Sequence, residues 1–222
     1  MIFQAEHIQK SYGKKNVLKD VSFSVSGGQC LGILGGNGSG KSTLLSILAG
    51  VLSADGGCVF ADEINVLADR QTGSKWIGYV PQGTPLMEEL TAWDNLRLWY
   101  DRAELEKELD NGILSVLGIR DFLKVPVRKL SGGMRKRLSI GCAMAGRPPI
   151  LLLDEPTAAL DIACKQNIMA YLTRYKNAGG ILVLTTHDAS ELSLCDQCGI
   201  LKNGVLTPFE FTGDIDALVK SL

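Results

Sequence analysis

Residues 35 to 43 read Gly35-Gly36-Asn37-Gly38-Ser39-Gly40-Lys41-Ser42-Thr43, four glycines closed by a lysine and two hydroxyls. Without Cβ atoms in the way, successive main-chain N–H groups can converge on one anion. A lysine placed after them adds a point charge at the terminal phosphates, and a hydroxyl beside it suits the divalent cation that travels with them. The spacing from Gly35 to Ser42 is that of a phosphate-cradling loop, which implies a nucleotide and Mg²⁺. Such a loop works only between a strand and a helix. The preceding QCLGILG is a short apolar run suited to a buried strand. The following STLLSILAGVL sets Leu44, Leu45, Ile47, Leu48 and Val51 at helical spacing. The new helix then aims its positive end at the phosphates.

Two further stretches carry chemistry. In ILLLDEP, residues 150 to 156, four apolar residues predict a fully buried strand with Asp154 at its carboxyl end and Glu155 next. Ligands of open α/β sheets bind at that end, so Asp154 can reach a cation held by Ser42. Glu155, one residue further out, can orient or deprotonate an attacking water. In KLSGGMRKRLSI, Ser131-Gly132-Gly133 opens a helix with Arg135, Lys136 and Arg137 in its first turns, a second helix N-terminus suited to an anion.

The elements that must position these residues follow from periodicity. IFQAEHIQ, then DVSFSVSGG with Val21, Phe23 and Val25 alternating, then GCVFADEI and WIGYV read as strands. From about residue 91 the pattern turns helical, with Thr91 to Asp94 as a capping box and apolar positions at three and four spacing across ELEKELDNGILSVLGI. After residue 149 strands and helices alternate, which predicts a parallel sheet covered by helices on both faces, with residues 84–148 inserted as a helical subdomain. The chain has 222 residues, 45% hydrophobic and 21% charged, so it can bury a core as one domain with an insert. Its net charge of −1 argues against nucleic acid as a partner. No apolar run reaches the roughly 18 residues of a membrane span. The N-terminal residues lack the basic start and apolar stretch of a signal peptide. Six scattered cysteines suit a reducing compartment, and the lone Cys195-x-x-Cys198 reads as two core cysteines rather than a metal or redox site.

With these residues assembled, the chain resembles the nucleotide-binding subunit of an ATP-binding cassette (ABC) transporter, and the resemblance covers nearly its whole length. It implies an α/β P-loop NTPase core with a mainly parallel sheet, an N-terminal antiparallel β subdomain and an inserted α-helical subdomain. Residues 1–83 and 149–222 would form the core with its β subdomain, and residues 84–148 the helical insert. By resemblance, Tyr12 stacks on adenine, Gly35 to Thr43 hold the phosphates, and Gln82 senses Mg²⁺ and the attacking water. Leu130 to Gly133 match the family signature, Asp154 the metal ligand and Glu155 the base. Leu160-Asp161 match a loop that crosses to the partner subunit, and His187 the histidine that contacts the γ phosphate.

The resemblance also implies partners. Two cassettes, identical or paired with a second ABC subunit, would pack head to tail around two ATP molecules, each between one chain's phosphate loop and the other's Ser131-Gly132-Gly133. The inserted subdomain keeps the loop and the signature of one chain apart, which fits that arrangement. A separate integral membrane permease would place the chain on the cytoplasmic face of the membrane and select the cargo. In the signature, Met134 replaces the glutamine common in the family, and a thioether cannot donate a hydrogen bond. Methionine followed by basic residues resembles the ATPase subunits of small two-component exporters. A regulator of cell-wall enzymes, also a cassette with a membrane partner, is the alternative. A GTPase is disfavoured because no N-K-x-D stretch is present. Finally, Trp93, Leu96 and Tyr100 share one helical face while Trp99 points elsewhere. With residues 85–89, this segment is expected to form part of a groove receiving a permease helix.

Overall fold

A computed structural model describes residues 1–68, 73, 75–83, 85–158 and 160–213. The expected subdomain boundary at residue 84 and the C-terminal residues 214–222 lie outside them. The described residues contain a sheet in the order β5-β4-β1-β2-β10-β9-β3-β8-β7-β6. Its antiparallel part comprises β1 (Ile2–Tyr12), β2 (Lys15–Ser26), β4 (Gly56–Ala61) and β5 (Ile64–Asn65). The remaining part comprises β3 (Cys30–Leu34), β6 (Ile77–Val80), β7 (Ile150–Asp154), β8 (Ile181–Thr185), β9 (Gln197–Lys202) and β10 (Val205–Phe209). Here β6, β7, β8, β3 and β9 run parallel, and β10 returns antiparallel to β9. The turn between β9 and β10 is Asn203-Gly204, both with positive φ, as a tight hairpin requires.

The central parallel strands β3, β7 and β8 are buried on both sides, and their residues alternate between cores. In β7, Ile150 and Leu152 face one core while Leu151 and Leu153 face the other, and Ile181 to Leu184 of β8 do the same. One core is closed by helix α1 (Lys41–Leu48) together with the antiparallel strands, rather than by helices alone. The other is closed by α2 (Ala92–Arg97), α3 (Arg102–Asn111), α4 (Ile113–Val116), α5 (Gly132–Ala143) and α6 (Ile162–Asn177). A leucine truncated to alanine inside such a double-sided strand typically costs about 2–5 kcal/mol. The strands therefore form a stiff floor from which the loops at their carboxyl ends project.

Two local features depart from or refine the sequence reading. The helical pattern across residues 104 to 119 is interrupted at Gly112, whose backbone is extended. The buried Glu108 carboxylate accepts from the Ile113 amide at 2.9 Å and from Arg147 at 2.7 Å, so it caps a new helix instead of pointing to solvent. Thr91 caps α2 with Asp94 reciprocally, as the capping-box pattern indicated.

Candidate functional site

The chain leaves β3 at Leu34 and reaches α1 through the glycine loop, and two of those glycines are irreplaceable by geometry. Gly35 has φ +154, and a Cβ there would lie 2.6 Å from the Leu201 carbonyl. Gly40, with φ +107, would drive a Cβ to 2.8 Å from the Val17 side chain. The Lys41 side chain folds back over the loop, its Nζ donating to the carbonyls of Gly35 at 2.6 Å and Gly36 at 3.2 Å. It is 8% exposed. Burial pulls its pKa below that of a free lysine, while the charges of Glu155 and Asp154 act in the opposite sense. A buried cation held by carbonyls over an open loop is set to receive an anion.

A cavity of about 240 Å³ brings together Asn37, Gly38, Gly40, Lys41, Ser42, Thr43, Gln82, Asp154 and Glu155. Val17 of β2 also lines it, a contact no sequence signal marked. A larger cavity of about 770 Å³, among Leu192, Cys198, Phe209 and Phe211, shares none of these residues. Asp154 is 2% exposed. Its Oδ1 accepts from the Thr185 hydroxyl at 2.5 Å, whereas its buried Oδ2 has no partner. An orphaned carboxylate oxygen in a cavity shared with the Ser42 hydroxyl suits a hard divalent cation that prefers oxygen ligands, so the residues fit Mg²⁺.

Glu155 stands in the left-handed region at φ 49. For a residue with a Cβ that conformation costs about 1–3 kcal/mol and persists only when neighbours fix it. The fixing group is Thr185, whose carbonyl and hydroxyl both accept from the Glu155 amide at 3.2 Å. The turn aims the carboxylate at two other residues. Its Oε2 accepts from Gln82 Nε2 at 3.3 Å, and its Oε1 lies 3.7 Å from His187 Nε2. Gln82, Glu155 and His187 thus converge from three strand ends.

The other expected site residues lie outside this cavity. Tyr12 is exposed at the end of β1, with Lys10 Nζ 5.8 Å from its ring centre. Ser131 caps α5, accepting from the Met134 amide at 3.2 Å, and with Gly132 it faces solvent. Neither these residues nor Gly133 line the phosphate cavity of their own chain. Met134 packs against the helical core. Of the basic residues of this helix Lys136 is buried, and Arg135 and Arg137 are half-buried and engaged within the fold. Arg135 holds Glu88 and two carbonyls, Lys136 holds two carbonyls, and Arg137 donates to Leu117 and stacks on Phe122. Asp161 is the N-cap of α6, accepting from the Cys164 amide at 2.8 Å. Near the expected groove, Tyr100 is buried and donates to the Gly141 carbonyl, Trp93 is half-buried, and Trp99 is 64% exposed. Met87 projects outward while the buried Asn95 amide grips its backbone at both N–H and carbonyl.

A glycine loop on a strand–helix junction, a carboxylate with a free oxygen and a supported glutamate define a P-loop nucleotide-binding protein. The ABC transporter family profile matches residues 18–158. The linearmycin resistance ATP-binding protein LnrL of Bacillus subtilis is 34% identical over 209 residues, 91% of this chain and 67% of that protein. The Nod factor export ATP-binding protein I of Sinorhizobium fredii is 36% identical over 206 residues, 89% of this chain and 59% of that protein. A solved dimeric ATP-binding cassette in a post-hydrolysis state, bound to ADP and Pi, matches with a TM-score of 0.81 at 30% identity, over 93% of this chain and 96% of that one. This chain belongs to the ABC transporter family, as an ATP-binding domain. It spans between 59% and 67% of the length of those two curated relatives. Among the described residues, no helix is long and apolar enough to cross a membrane.

Proposed function

We propose that this chain is the ATP-hydrolysing subunit that powers movement of a cargo across a membrane through a separate permease. The observation that carries the reading is the unpartnered Asp154 Oδ2 beside Ser42 and Lys41, with Glu155 braced next to it. In this reading Gly35, Gly36, Asn37, Gly38, Ser39, Gly40 and Thr43 cradle the phosphates, Lys41 neutralises the β and γ groups, and Tyr12 stacks on the base. Ser42 and Asp154, with Gln82 nearby, hold Mg²⁺, which would spread the charge of the transferred phosphoryl group. Glu155 takes a proton from the attacking water, with Gln82 and His187 orienting its two oxygens. Ser131, Gly132 and Gly133 serve the nucleotide of a second copy or a second ABC subunit, and Asp161 sits at the border between the two. The solvent-facing positions of Ser131, Gly132 and Asp161 support this, as does the dimeric state of the similar cassette. The name of the Nod factor export relative supports outward movement, and a permease partner would hold the chain at the cytoplasmic face of a membrane. Residues 84–148 would act as the helical subdomain and the rest as the nucleotide-binding core.

The purified chain should hydrolyse ATP slowly with Mg²⁺. Lys41→Ala removes a charge-assisted contact worth about 1.5–3 kcal/mol and should weaken nucleotide binding about ten- to a hundred-fold. Lys41→Arg should rescue only in part, because a planar fork replaces a point charge. If Lys41→Ala binds and hydrolyses ATP as well as the unaltered chain, the assignment of the loop is wrong.

A further inference from the structure

Lys136 is a buried lysine for which neither the phosphate loop nor the signature accounts. It lies on α5, five residues after Ser131, and is 6% exposed. Its ammonium donates to the Asp154 carbonyl at 2.9 Å and to the Pro81 carbonyl at 3.3 Å. Both acceptors sit where the sheet opens. The β6–β7 ladder ends at the pair Val80–Leu153, while β7 and β8 remain paired for one more step at Asp154–Thr185. Pro81 has no N–H with which to extend the ladder. The two carbonyls are therefore left side by side at the parting of the strands, and Lys136 spans the gap. Burying an ammonium is costly unless its donors are met, so this contact exists against a penalty. Carboxylates of Asp154, Glu191 and Glu155 lie close enough to oppose that penalty. Of these, Glu191 is itself buried and holds the Thr157 amide at 3.0 Å and the Thr157 hydroxyl at 2.5 Å.

The residues on either side of this bridge belong to the chemistry. Pro81 immediately precedes Gln82, and Asp154 is the carboxylate with the free oxygen. We infer that Lys136 is a positioning residue that ties the helix bearing Ser131-Gly132-Gly133 to the Gln82 and Asp154 segments of its own chain. A shift of α5 then moves Gln82 relative to Glu155, so the signature helix of each chain sets the hydrolytic geometry of that chain's own site. This rests on the proposed ATPase function.

The test compares Lys136→Met, which keeps the stem and loses every donor, with Lys136→Arg, which keeps donors. Steady-state ATPase with Mg²⁺, equilibrium binding of a fluorescent ATP analogue and melting temperature are read on each. Because small misplacements of catalytic groups cost up to about a hundred-fold, Lys136→Met should lower kcat roughly ten- to a hundred-fold. Nucleotide affinity, set by the phosphate loop, should stay within about threefold. Lys136→Arg should recover most of the turnover. In a Gln82→Ala background the same Lys136→Met change should cost much less, because the group it positions is gone. If Lys136→Met does not fold, Lys136→Gln is read for the same split, since it keeps donors on a side chain too short to span both carbonyls. A kcat within about twofold of the unaltered chain, or additive effects with Gln82→Ala, overturns the inference. A parallel loss of turnover, nucleotide affinity and melting temperature also overturns it, because that marks a purely structural lysine. An unaltered chain without Mg²⁺-dependent turnover defeats the functional reading itself, whereas turnover insensitive to Lys136 defeats only the coupling.

Discussion

Thr185→Val tests the brace beneath the two acidic residues. Thr185 ends β8 with no exposed surface, and valine matches its shape without the hydroxyl. The substitution deletes the 2.5 Å bond to Asp154 Oδ1, a hydrogen bond to a charged group worth about 1.5–3 kcal/mol. It also removes one of two acceptors for the Glu155 amide. The Thr185 carbonyl remains as the other, so this second loss adds about 0.5–1 kcal/mol. The sum is about 2–4 kcal/mol, and at about 2–4 °C per kcal/mol for a domain of this size the melting temperature should fall by roughly 4–16 °C. The loss should also appear in function. With both Asp154 oxygens lacking a protein partner, more Mg²⁺ should be needed for half-maximal ATPase. With Glu155 less firmly held at positive φ, turnover should fall. Thr185→Ser keeps the hydroxyl and should lose less than half as much stability. Thermal denaturation of the nucleotide-free chain and Mg²⁺ titration of its ATPase read both effects. A melting temperature within about 2 °C of the original, with unchanged Mg²⁺ dependence, refutes the brace.

Glu155→Gln keeps the shape of the side chain but cannot take a proton, so ATP should bind without turnover. Size exclusion with ATP should then show about twice the monomer mass, as a two-fold pair requires, and a monomer at every ATP concentration would count against the head-to-tail dimer. Met87→Glu places a charge on a side chain that is 56% exposed, in the segment expected to form the permease groove. A surface change of this kind should leave the isolated ATPase within about threefold while permease pull-down and transport are lost. A variant that still binds the permease and supports transport would move the docking surface elsewhere.

Much of the site was legible because its parts are local. Gly35 to Thr43 announce themselves by spacing, and ILLLD reads as buried from its composition alone. The capping box at Thr91 needs only the four residues it contains. What stayed hidden depends on chain segments far apart in sequence. Nothing around Glu155 announces a left-handed backbone, because Thr185, thirty residues on, is what holds it there. Val17 reaches the cavity through the register of β2. The Glu108 carboxylate breaks a helix that periodicity alone would continue, since it finds the Ile113 amide and Arg147. Arg135, Lys136 and Arg137 read in sequence as part of a helix start suited to an anion, and only the packing of α5 shows Lys136 buried and all three held by groups of the fold. Residue types give the chemistry available, whereas direction comes from tertiary contact.

The sheet has two ends, and both are short. Among the described residues β5 contributes two residues at one end and β6 four at the other. An open strand edge is a template on which another chain can zip, and brevity is one of the ways proteins prevent it. Two or four residues offer too few backbone bonds to recruit a neighbour's strand. Among the described residues the sheet ends thus disfavour sheet-to-sheet fusion, which leaves contact with another copy to loops and helix ends. Those can part and rejoin without tearing a ladder, which suits the ATP-driven pairing proposed above.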